Sequence, residues 1–210
     1  MHKTKPCKTR VVIFDLGNVL INFDLRRATR KLAKYSNLRE AEILRTIRKS
    51  TAIIAHEKGL MSDRDFFLHI KRDLDLAISR DDFEKIWSDI FWENRSVGNI
   101  AKKLKARRYT VAIISDTNPL HNRRELVKFP VIRRIADYYF PSFAMKTRKA
   151  EGPKIFRLVI RKLKISPCEA VFIDDLPSNI RHARLAGMRA IRFRNSGQLK
   201  NALAKEGVNI

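Results

Sequence analysis

Four short apolar runs, at residues 11–14, 110–114, 170–173 and 189–193, constrain this chain more than any other feature. The first three are continuous and rich in β-branched residues, the fourth is interrupted by Arg192, and short runs of this kind suit strands buried on both faces of a parallel sheet. A fifth run, 138–143, contains Pro141, which confines it to an edge or a strand end because proline has no N–H to give to a ladder. Residues 100–106, 155–163 and 180–185 are apolar at three- and four-residue spacing, so β and α elements alternate through the second half of the chain. That alternation predicts an α/β fold, a parallel sheet with helices on both faces. Residues 25–93 carry no comparable run and read as about four helices, 25–35, 39–58, 64–74 and 81–92. Ser62 and Ser79 are suited to N-caps and Gly59 to a helix stop. The expected organisation is a body of residues 1–22 and 97–210 with a helical insertion, 23–96, after the first strand.

Charge also divides the chain, with a segment of opposite sign inside the expected insertion. The total is +23, from 45 Lys and Arg against 22 Asp and Glu, yet 44% of residues are hydrophobic, enough for a core and too many for a disordered basic tail. Residues 55–95 hold ten acids against seven Lys and Arg, whereas 1–54 and 96–210 carry +9 and +17. An acidic unit set against a basic body follows. The cations are dispersed as on a solvated surface; nucleic acid stays open as a partner, although no aromatic array interleaves with them. No run approaches the roughly 18 apolar residues of a membrane span. The basic start MHKTKPCKTR lacks the continuous apolar core and cleavage site of a secretory signal, and a cytoplasmic location is expected. Cys7 and Cys168 lack metal-ligand spacing and read as ordinary reduced cysteines.

In an open α/β sheet, ligands bind beyond the carboxyl ends of the strands. The polar residues there are Asp15, Ser115, Asp174 and Asp175. One acid after a strand is often a helix cap, but three strands ending in such groups converge on one crevice. Asp15 with Asp175 can hold magnesium, which favours a few carboxylates plus water, and Asp15 can attack phosphorus as a carboxylate nucleophile. Ser115 and a lysine can then neutralise phosphoryl oxygens.

These residues stand in motifs resembling those of the haloacid dehalogenase-like hydrolase superfamily. VVIFDLGNVL is similar to its first motif, with the nucleophile at Asp15; VAIISDTN to its second, at Ser115; Lys149 to its third; and VFIDDLPSNIRHARLAGM to its fourth. FDLGNVL, the HEKG turn at residues 56–59, SDTNPLH and FIDDLPSNI look like the subgroup of bacterial α-glucose-1-phosphate phosphatase and the phosphatase domain of soluble epoxide hydrolase. The resemblance implies a Rossmann-like core, a helical cap for the insertion, an aspartyl-phosphate intermediate and the cofactor Mg2+. It implies catalytic roles for Asp15, Ser115 and Lys149, and phosphoryl binding by Ser115, Asp116 and Lys149. The implied metal set is Asp15, the Gly17 carbonyl, Asp174 and Asp175, with Asp175 the principal ligand of the last pair and Asp174 orienting groups around it.

Two departures stand out. The family's second aspartate, two residues after the nucleophile, is Gly17 here, which removes the usual proton donor. The usual Lys-Pro-acid-Pro run is Lys149-Ala150-Glu151-Gly152-Pro153, so Lys146 and Lys154 are alternative lysines. Asn118, His121 and Asn179 read foremost as caps or turn residues, and His56 as a capping or packing residue. The expected activity is a magnesium-dependent phosphatase acting on a small phosphorylated metabolite. Metal-free dehalogenation is disfavoured by the Asp174–Asp175 pair. The alternative from another class is a catalytically weak binding or regulatory protein, engaging nucleic acid through its basic surface.

Overall fold

The structure is a computed structural model and describes residues 7–210; the first six residues of the basic start lie outside it. In chain order, β1 (Val11–Asp15) and the short β2 (Ile21–Phe23) precede helices α1 (Arg26–Leu32), α2 (Glu40–Lys49), α3 (Thr51–Glu57), α4 (Asp63–Asp73) and α5 (Arg80–Ser88). Strand β3 (Phe91–Glu93) returns the chain to α6 (Arg95–Ala106), β4 (Thr110–Ser115), α7 (Pro119–Lys128), α8 (Pro130–Ile135), β5 (Tyr138–Pro141) and α9 (Ser142–Met145). Helix α10 (Lys154–Leu163), β6 (Ala170–Asp174), α11 (Pro177–Leu185), β7 (Arg189–Arg192) and α12 (Ser196–Lys205) complete it.

The five longer strands form one parallel sheet in the order β5-β4-β1-β6-β7. The α/β architecture read from the apolar runs is therefore the one observed, with Pro141 closing the edge strand β5. Strand alternation partitions the core. Val12, Phe14, Val111, Ile113, Val171 and Ile173 pack on one face against α6, α8 and α12, while Val11, Ile13, Ala112, Ile114 and Phe172 pack on the other against α10 and α11. Because successive side chains point to opposite faces, a continuous apolar run serves both layers at once.

The inserted helices build their own core from Leu32, Ile43, Ile47, Phe66, Phe83 and Trp87, joined by Leu120 of α7. Ser62 and Ser79 cap α4 and α5, accepting the N–H groups of Asp65 and Asp82 at 3.1 and 3.2 Å. Gly59 ends the turn after α3 with a φ of +61°, where a Cβ would run into the Phe143 carbonyl. Three expectations need correction. The helix expected over 39–58 breaks at Ser50, whose extended backbone (φ −70°, ψ 120°) separates α2 from α3. The one expected over 81–92 stops at Ser88, and Phe91–Glu93 pairs antiparallel with β2, a three-residue ribbon too short to show a period. Cys7 and Cys168 form a disulfide: pairing of β1 with β6 places the residues preceding both strands together, Cα to Cα 5.8 Å, across 161 residues of sequence.

Candidate active site

Parallel strands in register deliver their last residues to one edge. Asp15 lies opposite Ile114 and Phe14 opposite Ile173, so Asp15, Ser115 and Asp174 emerge together. Strand β1 is central, and the chain winds outward on both sides of it, which makes this edge the crevice where such sheets bind ligands.

Lys149 joins that edge from the turn after α9. Its ammonium, 2% exposed, lies 2.5 Å from Asp15 Oδ1 and 2.8 Å from Asp174 Oδ2. Its backbone is fixed from both sides: its N–H donates to Asp116 Oδ1 at 2.9 Å and its carbonyl accepts from His182 Nδ1 at 2.9 Å. Burial opposes the ammonium charge, but Asp15, Asp174 and Asp116 together outweigh it and raise the Lys149 pKa. For Asp15, burial raises the carboxyl pKa well above its ordinary value despite the pull of Lys149, and Asp174 and Asp116 add to the rise. Lys146 donates instead to the Gly59 carbonyl at 2.6 Å, and Lys154 is exposed at the start of α10. Of the three lysines, Lys149 alone reaches both carboxylates.

The carboxylates are not equivalent. Asp174 Oδ1 accepts from the Leu176 N–H and Asn179, and Oδ2 from Lys149 and Asn179, at 2.8 to 3.1 Å, which fills its four lone-pair positions. Asp15 Oδ1 accepts from the Leu16 N–H at 2.7 Å as well as from Lys149, and no donor among the described residues bonds its Oδ2. Among the described residues the Asp175 carboxylate accepts only a long bond, 3.5 Å, from Asn18 Nδ2. Oxygens of Asp15, Asp174 and Asp175 lie within 4.8 Å of one another. Hard oxygen donors with open lone pairs on two of three carboxylates, balanced by one ammonium, fit a small divalent cation such as magnesium.

Two adjoining cavities open here. One, of about 270 Å³, is lined by Asp15, Gly17, Asp116, Arg148, Lys149 and Asp175 among others. The second, of about 220 Å³, is more apolar, walled by Leu25, Ile53, Trp87, Ile90 and Phe91, with Ser115 and Asn118. Gly17, Phe23, Glu57 and Asp116 line both. Of the residues singled out by sequence, Asp15, Gly17, Asp116, Lys149 and Asp175 thus share a cavity, Asp174 stands behind it, and Ser115 lines the neighbouring one.

The remaining polar residues have structural partners. Asn118 caps α7, accepting the His121 N–H at 2.9 Å, and His121 Nε2 donates to the Trp87 carbonyl at 3.1 Å. Burial pulls the His121 pKa down to about 4. His56 is fully buried, stacked on Phe66 with centroids 4.3 Å apart, and bonds Asp63 at 2.7 Å. Asn179 serves Asp174, as above. Sequence reading missed Glu57, Arg148 and Glu125. Glu57 stood within the quoted HEKG turn, but its place in the site depends on how α3 packs against the loop carrying Lys149.

A family model for the haloacid dehalogenase-like hydrolases matches residues 9–187. A phosphatase of Mycobacterium tuberculosis is 22% identical over 93% of this chain and 92% of its own. A solved haloacid dehalogenase family enzyme of Bacteroides thetaiotaomicron, in complex with magnesium and inorganic phosphate, is 25% identical, with a TM-score of 0.78 over 89% of this chain and 94% of that one. A predicted hydrolase of the same family from Porphyromonas gingivalis superposes with a TM-score of 0.80 at 21% identity, over 95% and 98% of the two chains.

Proposed function

The chain belongs to the haloacid dehalogenase-like hydrolases, and on that premise we propose that it is a magnesium-dependent phosphatase of small organic phosphate monoesters. The observation that carries the reading is Asp15: among the described residues its Oδ2 has no donor, while its Oδ1 is pinned by Lys149 and the Leu16 N–H, beside a cavity large enough for a phosphoryl group. A carboxylate held by one oxygen presents the other for attack. The magnesium-containing complex of the Bacteroides enzyme and the phosphatase relative support the same chemistry.

In this reading Asp15, Asp175 and the Gly17 carbonyl hold the magnesium, which when bound offsets negative charge on the phosphoryl oxygens. Asp174 takes no metal; its filled lone pairs position Lys149. Asp15 Oδ2 attacks phosphorus and forms an aspartyl phosphate that water then cleaves. Lys149 donates to the phosphoryl oxygens as their charge shifts, and Ser115 and Asp116 help to orient the group from the second strand's loop. The helical insertion, 23–96, acts as a cap over the body of 1–22 and 97–210, and the apolar cavity receives the organic part of the ester.

The test is a screen of phosphorylated metabolites with magnesium and with a chelator. Magnesium-dependent release of inorganic phosphate is expected. No turnover of any monoester, together with sub-micromolar nucleic-acid binding at physiological salt, would replace this reading with that of a binding protein, which the +23 charge favours.

A further inference from the structure

Position 17 offers no acid, and the room beside it is taken: a Cβ on Gly17 would meet the Phe23 ring at 3.1 Å. Breaking the P–O bond of an alkyl phosphate nevertheless leaves charge on a strongly basic oxygen, which departs much faster when a positioned acid protonates it. Most other titratable groups along the two cavities are committed elsewhere. Asp15 is the nucleophile and Asp175 a metal ligand in the reading above, Asp116 Oδ1 receives the Lys149 N–H, and His121 Nε2 donates to the Trp87 carbonyl. Glu125 lines only the apolar cavity. Glu57 lines both, where the phosphoryl cavity meets the one suited to the leaving group.

We propose that Glu57, delivered by the helical insertion, is the catalytic acid that protonates the departing alcohol in place of the side chain missing at position 17. This inference rests on the phosphatase reading. Glu57 is the last residue of α3 and is tied to the body on several sides. Its carbonyl accepts from Ser142 Oγ at 2.6 Å, and the next residue, Lys58, pairs with Glu151 at 3.1 Å. Its own carboxylate Oε2 lies 2.9 Å from Arg148 Nε, one residue before Lys149. The contacts that hold this end of the insertion on the body therefore also place the acid.

Burial pushes the Glu57 carboxyl up to about 7, against the pull of Arg148, with Asp116 raising it further and Lys149 lowering it. Asp15 and Asp175 share one cavity with it, and His121 and Glu125 the other. Near neutral pH the group can both give and take a proton. In the first step Asp15 Oδ2 bonds to phosphorus, the P–O bond to the alcohol breaks with its electron pair on the leaving oxygen, and the Glu57 proton moves to that oxygen. Arg148 then pairs with the resulting carboxylate. In the second step water adds to phosphorus and gives a proton to Glu57. The bond to Asp15 breaks with its electron pair on the Asp15 oxygen, which restores both carboxyl groups.

The experiment compares kcat/KM of wild type and Glu57→Gln, with magnesium, on an alkyl phosphate and on an aryl phosphate whose phenol is acidic enough to leave unprotonated. This constant reports the steps up to alcohol release, so it isolates the acid role from the later base role. The variant is expected to lower the alkyl-to-aryl ratio by tenfold or more, on the order of 10²-fold. A fall of less than tenfold overturns the assignment, because a structural defect would slow both esters alike. If Glu57→Gln does not fold, the wild-type pH profiles decide: kcat/KM for the alkyl ester must fall above about pH 7 relative to the aryl ester, and parallel profiles overturn the proposal. Wild type inert toward both esters would instead defeat the phosphatase reading itself.

Discussion

The Lys149 ammonium and the Asp174 carboxylate meet at 2.8 Å with 2% and 0% exposure, linking the turn after α9 to the end of β6. The same ammonium reaches Asp15, so the ends of two neighbouring strands share one buried cation. Removing one member of such a cluster leaves the others as uncompensated charge in a dry environment, which is the costly way to break a buried pair. Lys149→Met is therefore expected to destabilise the fold by about 3–5 kcal/mol as well as to stop turnover. Chemical denaturation checks this, and a loss below about 1 kcal/mol would show that the two aspartates accommodate without it.

Asp15→Asn keeps an acceptor for the Leu16 N–H and for Lys149 but cannot attack phosphorus. Phosphatase turnover is expected to fall to background with the circular dichroism spectrum retained. Persistent turnover by protein cleared of contaminating phosphatases would remove Asp15 as nucleophile.

Asp174 and Asp175 are adjacent in sequence, yet substitution should separate them. Asp175 has one long protein contact, so Asp175→Asn is expected to weaken magnesium binding, read by isothermal titration, with little change in melting temperature. Asp174→Asn removes the carboxylate shared by Lys149 and Asn179, leaving Lys149 with Asp15 alone, and is expected to lower the melting temperature by several degrees. The reverse pattern would exchange the two roles.

Glu125 gives a pH dependence of stability. It is 3% exposed, its Oε2 lacks a partner, and burial raises its pKa to about 8 from the ordinary 4.5. The folded protein therefore binds a proton that the unfolded chain releases above about pH 4.5, and stability drains away as pH rises toward about 8. Glu125→Gln is expected to flatten this decline, recovering on the order of 2–4 kcal/mol at pH 8 relative to pH 5. Identical slopes for wild type and variant in urea titrations at the two pH values would place the effect elsewhere.

The acidic second half of the insertion, residues 55–95, meets the basic body through charge. Asp63 pairs with Arg123 at 2.7 Å, Asp89 with Lys128 at 3.4 Å and Lys58 with Glu151 at 3.1 Å. Raising salt from about 0.05 to 0.5 M shortens the screening length severalfold, and KM for a small phosphate ester is expected to rise. The rise reflects both weaker attraction of the dianion and looser closure. A KM independent of salt would mean that uncharged contacts, such as the packing of Leu120, Ile90 and Phe91 and the bond from Ser142 to the Glu57 carbonyl, hold the insertion in place.

The sheet and the positions of Asp15, Ser115 and Asp174 at its edge were legible from the sequence because each follows a continuous apolar run, and burial on both faces leaves such a run little choice but a central strand. What the sequence by itself could not determine depends on distances between segments remote along the chain. The Cys7–Cys168 disulfide exists because β1 and β6 run side by side, 161 residues apart in sequence. The different surroundings of Asp174 and Asp175 are set by the donors around each carboxylate, and of Lys146, Lys149 and Lys154 only Lys149 reaches both strand ends. Glu57 looked like an ordinary helix-end acid; packing of α3 against the loop at 142–151 is what buries it beside Arg148 and gives it chemistry. Local apolar patterning fixes which segments become buried elements, whereas the state of a charged side chain depends on its neighbours and its access to water, which only the assembled tertiary structure decides.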